Sequence, residues 1–264
     1  MDASGAGRAS RCRPSRPARE RRHADSREGF VQHGAETMTT NVGRSVSSDS
    51  VVKAFDRFAV RYDAWFNRAR GRRIFVAETG LLRDLLEEMP RRWLEVGVGT
   101  GRFAQALGVE DGLDASVEVL KIAADRRIRV WLGSGENLPF SDAAYGTVVM
   151  VGTICFLSDP RQALREASRV LRKDGRVLLG LVPRNSPWGN SYREKALAGH
   201  PFYSVATFHT CENIIRTASD VGLYLERARS CLFESPEARV DAYAPSREGI
   251  LDASGFVGLR FKKD

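Results

Sequence analysis

An acidic residue followed by three alternating glycines is the part of this sequence best suited to chemistry. Glu95 closes a short apolar run, and Gly97, Gly99 and Gly101 follow it in the pattern G-x-G-x-G, with Val98 in the same turn. Glycine lets the backbone turn tightly and approach a ligand closely, because it has no Cβ. A helix that begins behind such a turn offers unpaired amides and a positive dipole end. The pattern therefore predicts a site for a nucleotide-like cofactor.

The spacing of the glycines distinguishes between cofactors. Dinucleotide sites use G-x-G-x-x-G, with the pyrophosphate on the start of the helix, whereas here Arg102 stands in the position of that third glycine. We expect Glu95 on the ligand side of the strand end, where a carboxylate repels a pyrophosphate and attracts an ammonium group. These differences favour S-adenosylmethionine (SAM) over NAD or FAD. An NAD-binding oxidoreductase remains a rival interpretation.

A second acid follows 19 residues after Glu95, where Gly112–Ser116 has the pattern of a short strand that ends in Asp114. In βαβ nucleotide sites, a carboxylate at the tip of the second strand accepts hydrogen bonds from the ribose hydroxyls. Asp114 fits that role, with Ala115 beside it. Asp114 or Ser116 could also cap the helix predicted for Ser116–Arg126. The two roles are compatible.

The segments that must position these residues alternate between strand and helix. The run Thr147–Phe156 is continuously apolar, which is typical of a strand buried on both faces of a parallel sheet. The alternation predicts an α/β fold with a Rossmann-like, seven-stranded, mostly parallel sheet and helices on both faces. Besides the strand before the glycines, the predicted strands are 112–114, 130–132, 147–156, 176–182, 223–233 and 256–262, and the predicted helices include 51–66, 116–126, 160–171 and 211–221.

From roughly Val51 to the C-terminus, the sequence resembles a class I SAM-dependent methyltransferase of type 11. Residues 94–103, 112–116, 133–140, 145–160 and 170–181 follow that family's order and spacing. The stretches EVGVGTGRFA, GENLPF, TICFLSDP and HPFYSVATFHT are similar to a small prokaryotic subgroup. Members of that subgroup are labelled as small-molecule, histamine-like methyltransferases on homology alone, and this label leaves the methyl acceptor open.

The resemblance implies a role for each matching position. Glu95 and the glycines would form the turn under the methionine and ribose parts of SAM, and Asp114 would hold the ribose. Many relatives bind the adenine amino group with an Asp where this chain has Ser134, so adenine recognition would rest on the Gly135 amide and a weaker hydroxyl contact. Glu136 follows in that loop and could equally be solvated surface. The predicted cofactor-binding residues are Glu95, Gly97, Val98, Gly99, Gly101, Asp114, Ala115, Ser134, Gly135, Glu136 and Val151.

The acceptor side is expected between an N-terminal helical cap, about 51–88, and an insert, about 183–210. The insert interrupts the alternation of strand and helix, and by the resemblance it forms the acceptor pocket together with the cap. The candidate acceptor-side residues are Tyr62 on the cap, Thr153 at the carboxyl end of the fourth strand, and His200 and His209 in the insert. A histidine can act as a base at neutral pH, but a structural role for each histidine stays open. We assign no catalytic residue from the sequence.

The composition is consistent with one sizeable domain, residues 49–264 of a chain that has 264 residues and is 42% hydrophobic. No apolar run reaches the length of about 20 residues that spans a bilayer. Four cysteines are scattered without C-x-x-C spacing, which indicates neither a metal cluster nor a disulfide framework and fits a reducing cytoplasm. We therefore expect no metal, no membrane association and a cytoplasmic location. The oligomeric state is left open.

Residues 1–48 have the composition of a disordered basic leader, since 1–37 hold eight arginines against five acidic residues and show no apolar periodicity. One hypothesis is that Met38 is the native start. The formal net charge is +8, but acids are interspersed through the domain and no RNA-binding module accompanies it. This pattern does not favour nucleic acid as a partner.

These observations predict methyl transfer from SAM to a nitrogen or oxygen atom of an unidentified small molecule, with S-adenosylhomocysteine (SAH) as the product. Besides the NAD-binding oxidoreductase, two alternatives remain. One is a SAM-binding accessory or regulatory protein without turnover, and the other is an RNA or protein methyltransferase.

Overall fold

The computed structural model describes residues 48–264. The predicted leader, apart from Ser48, and the proposed start at Met38 lie outside these residues. Ser48 itself is the first residue of a helix. The elements below are those of the described part of the chain.

Helices and strands alternate along the described residues as the sequence pattern predicts. The helices are α1 (Ser48–Trp65), α2 (Ala69–Leu86), α3 (Arg102–Leu107), α4 (Val117–Asp125), α5 (Pro160–Val170), α6 (Pro187–Leu197) and α7 (Cys211–Ser219). The strands are β1 (Trp93–Val96), β2 (Asp111–Asp114), β3 (Arg129–Leu132), β4 (Tyr145–Val151), β5 (Leu171–Leu181), β6 (Leu223–Cys231), β7 (Arg247–Glu248) and β8 (Phe256–Lys263). Short 3-10 helices cover Ile154–Phe156 and Tyr203–Val205.

The strands form one sheet in the order β3-β2-β1-β4-β5-β8-β6-β7. The first five are parallel, and β8 runs antiparallel between β5 and β6. This arrangement confirms the predicted Rossmann-like α/β fold. The predicted count of seven strands was wrong by one, because the two-residue β7 pairs with β6 at the edge. Two residues carry no periodicity from which a strand could be recognised.

Strand β4 is central because both of its faces are covered. Val148 and Met150 belong to the core that contains residues of α5 and α7, whereas Val149 and Val151 belong to the core that contains residues of α2, α3 and α4. All seven residues of β4 are buried, which explains the continuous apolar run. The strand was predicted to continue to Phe156. It ends instead at Val151, because Gly152 takes a φ of +64° and a 3-10 helix follows.

The predicted irregular insert contains a helix of 11 residues, α6. Its start has two standard signals: the Ser186 hydroxyl accepts a hydrogen bond from the Gly189 amide at 3.0 Å, and Pro187 occupies the first turn. Both residues are visible in the sequence, so this helix could have been predicted.

None of the described helices is long and apolar enough to cross a membrane.

Candidate functional site

A cleft of about 280 Å³ lies beyond the carboxyl ends of β1, β2, β3 and β4. The sheet order reverses between β1 and β4, and this is where open α/β sheets bind ligands. Its volume is close to the lower end of the range for small-molecule pockets, about 300–1,000 Å³. The wall of this main cleft is formed by Ser48, Val51, Val52, Phe55, Tyr62, Val96, Gly97, Gly99, Leu113, Asp114, Ala115, Ser116, Gly133, Ser134, Gly135, Glu136, Val151, Gly152, Thr153, Phe156 and Leu157.

The three glycines of the turn share a positive φ, +74° at Gly97, +52° at Gly99 and +78° at Gly101. A Cβ on Gly97 would lie 2.3 Å from Thr153 Cγ2, and one on Gly101 would lie 2.5 Å from Ile128 Cδ1. At Gly99 the nearest atom would be Tyr62 Cε1, at 3.7 Å. Packing therefore requires the first and third glycines, whereas the second leaves space open to the main cleft.

Asp114 ties the glycine turn to the start of α4. Its Oδ2 accepts a hydrogen bond from the Gly99 amide at 2.9 Å, and its Oδ1 accepts one from the Ser116 amide at 2.9 Å. Burial raises the pKa of Asp114, and the two amides oppose that change by favouring the carboxylate. The cap of α4 is Ser116, whose hydroxyl accepts from the Val119 amide at 3.4 Å. Asp114 thus lies on the cleft wall without serving as the helix cap.

Glu95 lies behind the glycine turn and is not on the wall of the main cleft. Only 1% of its surface is exposed, and its Oε2 is buried with no hydrogen-bond partner. Burial raises the pKa of Glu95 well above its usual range, although a hydrogen bond from the Ala104 amide lowers the pKa in part. Val98 and Gly101, which belong to the turn, are also not on this wall. The other predicted cofactor-binding residues do meet at the cleft wall: Gly97, Gly99, Asp114, Ala115, Ser134, Gly135, Glu136 and Val151.

Hydrogen bonds of Glu136 join the loop after β3 to the residues just before α5. The Ser134 hydroxyl donates to the Glu136 carboxylate, whose Oε1 also accepts from the Ser158 amide at 2.9 Å. Glu136 therefore shapes the wall of the main cleft and is not simply a solvated surface residue.

Helix α1 covers the main cleft and is held at two places. Asp56 Oδ1 accepts a hydrogen bond from the Ser116 hydroxyl at 2.6 Å. Near the end of α1, Asp63 forms ion pairs with Arg102 at 2.7 Å and with Arg126 at 2.9 Å. Neither aspartate was predicted from the sequence as part of the site. Arg102 was an available signal for a carboxylate partner, because a cation occupies the position that the third glycine takes in dinucleotide sites.

Tyr62 lies on the cleft wall, with Phe55 at 5.6 Å and Phe202 at 5.5 Å between ring centroids. Burial raises the pKa of Tyr62 above its ordinary value, and the carboxyl groups of Glu78 and Glu95 add to the increase. The hydroxyl therefore stays protonated at neutral pH and can donate a hydrogen bond. It is a poor candidate for a base.

A second, apolar cavity of about 130 Å³, the side pocket, adjoins the main cleft and shares Gly152 and Phe156 with it. Its wall is formed by Gly152, Ile154, Cys155, Phe156, Leu181, Val182, Tyr192, Tyr203, Phe208 and His209. Thr153 is on the wall of the main cleft, with its hydroxyl 3.3 Å from the Val151 carbonyl oxygen and 3.4 Å from that of Gly97. It therefore packs under the glycine turn.

The structure separates the two histidines of the insert. His209 is on the wall of the side pocket, and its Nε2 is buried with no hydrogen-bond partner. Burial lowers the pKa of His209, and the charge of Arg184 lowers it further. His200 lies on neither wall. It stacks on Tyr203 at 4.1 Å, and its Nδ1 accepts a hydrogen bond from the Tyr203 amide at 3.4 Å.

Glu78 is a further acidic residue near the site that the sequence analysis missed. It lies on α2 one turn from the buried Ile74 and Leu82, and it has no hydrogen bond or ion pair with another described residue. Burial raises its pKa to about 8. Its charge in turn raises the pKa of Tyr62, Tyr192 and Tyr203. The sequence signal for Glu78 was an acidic residue at helical spacing within the apolar face of α2.

Two other features of the described residues do not extend the site. No group of His, Cys, Asp or Glu among them could hold a metal ion. A larger surface groove of about 740 Å³ runs between α7 and residues 250–254, but none of the glycine-turn residues lines it.

The sheet order and the glycine turn are those of the class I methyltransferase fold. Comparisons with known proteins support this assignment. Residues 94–179 match the family model described as a methyltransferase domain. A Thermotoga maritima structure, described as a SAM-dependent methyltransferase and possible histamine N-methyltransferase, is similar with a TM-score of 0.75 and 34% identity, over 81% of this chain and 100% of that one.

Relatives of unknown activity extend the similarity. An uncharacterised protein of Mycobacterium tuberculosis is 39% identical over 207 residues, 78% of this chain and 72% of that protein. One from Methanocaldococcus jannaschii is 32% identical over 213 residues, 80% of this chain and 100% of that protein. The chain belongs to the class I SAM-dependent methyltransferases, which confirms the resemblance found in the sequence.

Proposed function

We propose that this protein transfers a methyl group from SAM to a nitrogen or oxygen atom of a small molecule. The observation that carries the proposal is that two cavities adjoin at the carboxyl edge of the sheet and share part of their walls. The main cleft holds the glycine turn and Asp114, and the apolar side pocket opens beside it at Gly152 and Phe156. A cofactor in the first and an acceptor in the second would meet at that shared wall.

The residues of the main cleft fit SAM. The space beside Gly99 is open to a ligand, and Asp114 offers a carboxylate that is already oriented by two amides. Ser134, Gly135 and Glu136 would border the adenine. Glu95 Oε2 is buried and has no hydrogen-bond partner. From behind the turn, this carboxyl group would attract the ammonium group of the methionine part of SAM. When bound, SAM supplies an activated sulfonium methyl group, so the chain's own task is alignment and the exclusion of water.

Helix α1 and the insert are suited to excluding water. Phe55 and Tyr62 on α1 contact Phe202 of the insert through their rings, so the two segments close over the main cleft together. The roles of 51–88 as a cap and of 183–210 as an acceptor-side insert are part of this proposal, as is a location in the cytoplasm.

Calorimetry with SAM, SAH and NADH tests the cofactor, followed by mass spectrometry of reactions with amine, phenol and carboxylate libraries. We expect binding of SAM and SAH, no binding of NADH, and a methylated product. Tight SAM binding without product in every class would instead support an accessory protein. Binding of NADH but not of SAM would support an oxidoreductase.

A further inference from the structure

We propose that the acceptor is a monocyclic phenol, bound in the side pocket with its hydroxyl hydrogen-bonded to Nε2 of His209, which removes the hydroxyl proton. This inference rests on the proposed methyl transfer and specifies its substrate class. It is carried by the size of the side pocket, the chemistry of its wall and the unsatisfied imidazole nitrogen of a residue that lines it.

The size of the side pocket suits a single aromatic ring. Its volume is about 130 Å³, and an engineered apolar protein cavity of about 150 Å³ accepts benzene. The wall is rich in aromatic rings, with Phe156, Tyr192, Tyr203 and Phe208 all contributing. Aromatic rings that pack edge-to-face or offset against one another gain more interaction free energy than the burial of their surface area alone provides.

One residue of this wall has a buried polar atom that lacks a hydrogen-bond partner. The Cys155 thiol donates to the Gly152 carbonyl at 3.4 Å, and the Tyr192 hydroxyl donates to that of Tyr203. The Nε2 of His209 is buried with no partner. A buried polar group without a hydrogen bond destabilises the protein, so such an atom in a residue that lines a cavity points to a ligand that satisfies it.

The charge of the wall favours a neutral hydroxyl over an ammonium. No carboxylate lies among the wall residues of the side pocket. Glu78 is near the tyrosines but is not on the wall of either cavity. Moving an ammonium group into apolar surroundings without a paired charge is costly. A phenol is neutral, and only its one hydroxyl needs a hydrogen-bond partner.

The protonation of His209 suits the removal of a proton. Burial and the charge of Arg184 lower its pKa, so the imidazole is neutral at neutral pH and Nε2 can accept. The other titratable groups that face the pocket are Cys155, Tyr192 and Tyr203, and burial raises the pKa of each. All three stay protonated and add no negative charge that would favour the imidazolium.

The atoms of the step balance. The phenol oxygen gives its proton to Nε2 of His209 and forms a bond to the methyl carbon as the bond between that carbon and sulfur breaks. The electron pair of the broken bond stays on sulfur, which leaves SAH and an aryl methyl ether. The proton then passes from the imidazolium to water.

The test compares three small aromatic ligands, p-cresol, benzylamine and toluene, which lacks a polar group, by calorimetry on the SAH-loaded full chain. In the wild type we expect p-cresol to bind most tightly. In His209→Phe the advantage of p-cresol over toluene should fall by about fivefold or more, the worth of a net hydrogen bond, while SAH affinity persists. His200→Phe, which keeps a ring stacked on Tyr203, is the comparison and should alter that advantage far less.

Turnover provides a second readout. With SAM and p-cresol we expect 4-methylanisole, and about 100-fold less in His209→Phe, the usual effect of losing a general base. Stronger binding of benzylamine than of p-cresol, or an equal loss in both histidine variants, would overturn the phenol assignment while SAH still bound. Failure of the wild type to bind SAH would instead reject the proposed function itself.

Discussion

Gly97, Gly99 and Gly101 share a backbone conformation but differ in their surroundings. The first and third meet side chains of their own domain within 2.5 Å of a hypothetical Cβ, whereas Gly99 meets only Tyr62 at 3.7 Å. Gly99 is thus the position at which a side chain would compete with a ligand without first colliding with the protein.

The first prediction uses this difference. Gly99→Val should lower SAH affinity by about 100-fold or more, roughly 2.7 kcal/mol, because the new side chain fills space in the main cleft. The protein should stay folded, since the left-handed backbone costs a valine only about 1–2 kcal/mol. Calorimetry measures the affinity, and urea denaturation measures the unfolding free energy.

Gly222→Val is the matched control for this substitution. Gly222 has a φ of +76° and no atom within 4 Å of a hypothetical Cβ, and it lies outside the main cleft. It should show a similar loss of stability and wild-type SAH affinity. Unchanged affinity in Gly99→Val would mean that the main cleft does not hold the cofactor.

A second prediction concerns the half-buried acid Glu78. Its pKa rises from 4.5 to about 8 on folding, so the folded chain holds a proton that the unfolded chain has released between these values. The free energy of unfolding should therefore fall as pH rises from 4.5 to 8. Glu78→Gln stays neutral and should be more stable than the wild type at pH 8.5, by roughly 1–3 kcal/mol, but similar at pH 5.

Urea denaturation across this pH range measures the effect. Glu87→Gln, an exposed glutamate at the end of the same helix, should leave the pH dependence as it is. An unchanged slope in Glu78→Gln would show that the Glu78 carboxyl ionises as freely in the folded protein as in the unfolded chain.

At the scale of elements, the position of α1 depends on its acidic residues. Asp63 joins α1 to Arg102 at the start of α3 and to Arg126 just after α4. Burial would raise the pKa of Asp63, but hydrogen bonds from Arg102 and the charge of Arg126 outweigh it and lower the pKa to about 2. The stability that this pair adds is present above the unfolded pKa of 3.8 and is lost as pH falls toward 2.

The third prediction is that Asp63→Asn loosens α1. We expect unfolding to become easier by roughly 1–3 kcal/mol, because two partly buried arginines lose their carboxylate. SAH affinity should also fall by about tenfold, or 1.4 kcal/mol, because α1 carries Phe55 and Tyr62 onto the cleft wall. Denaturation and calorimetry measure the two effects separately.

The control is Glu118→Gln, which removes an exposed pair with Lys121. Exposed pairs contribute about 1 kcal/mol or less, so stability and affinity should stay near the wild-type values. If Asp63→Asn behaved like this control, the Asp63 ion pairs would not be what holds α1 over the main cleft.

At the scale of the whole molecule, the cleft is formed by segments from the first described residue to the middle of the described chain, Ser48 to Leu157. A ligand that binds only when these segments are assembled must stabilise the folded state. The fourth prediction is that SAH at 100 times its dissociation constant raises the free energy of unfolding by about 2.7 kcal/mol. Denaturation with and without SAH measures this, with NADH at the same concentration as a control that should have no effect. Unfolding that is indifferent to SAH would argue against a preassembled cleft.

Much of the cofactor side could be predicted from the sequence because its signals are local. The glycine turn directly follows the end of β1 and Asp114 is the last residue of β2, and alternating apolar segments define the strands that carry them. Parallel neighbours bring such strand ends to one edge of the sheet, so the spacing alone predicted that Gly99 and Asp114 would lie close together. They are joined by a hydrogen bond of 2.9 Å.

Other features depended on contacts between distant segments, which no local pattern contains. The side pocket combines the 3-10 helix after β4 with α6 and with His209, and only the path of the insert decides that His209, rather than His200, reaches its wall. Glu95 was expected to face the ligand, but the tertiary structure places it behind the turn. The sequence by itself determined the family, the sheet and the glycine turn, because these follow from short-range spacing and hydrophobic period. The tertiary structure alone decided which side chains border the second cavity, since burial and missing hydrogen-bond partners exist only once remote segments have packed together.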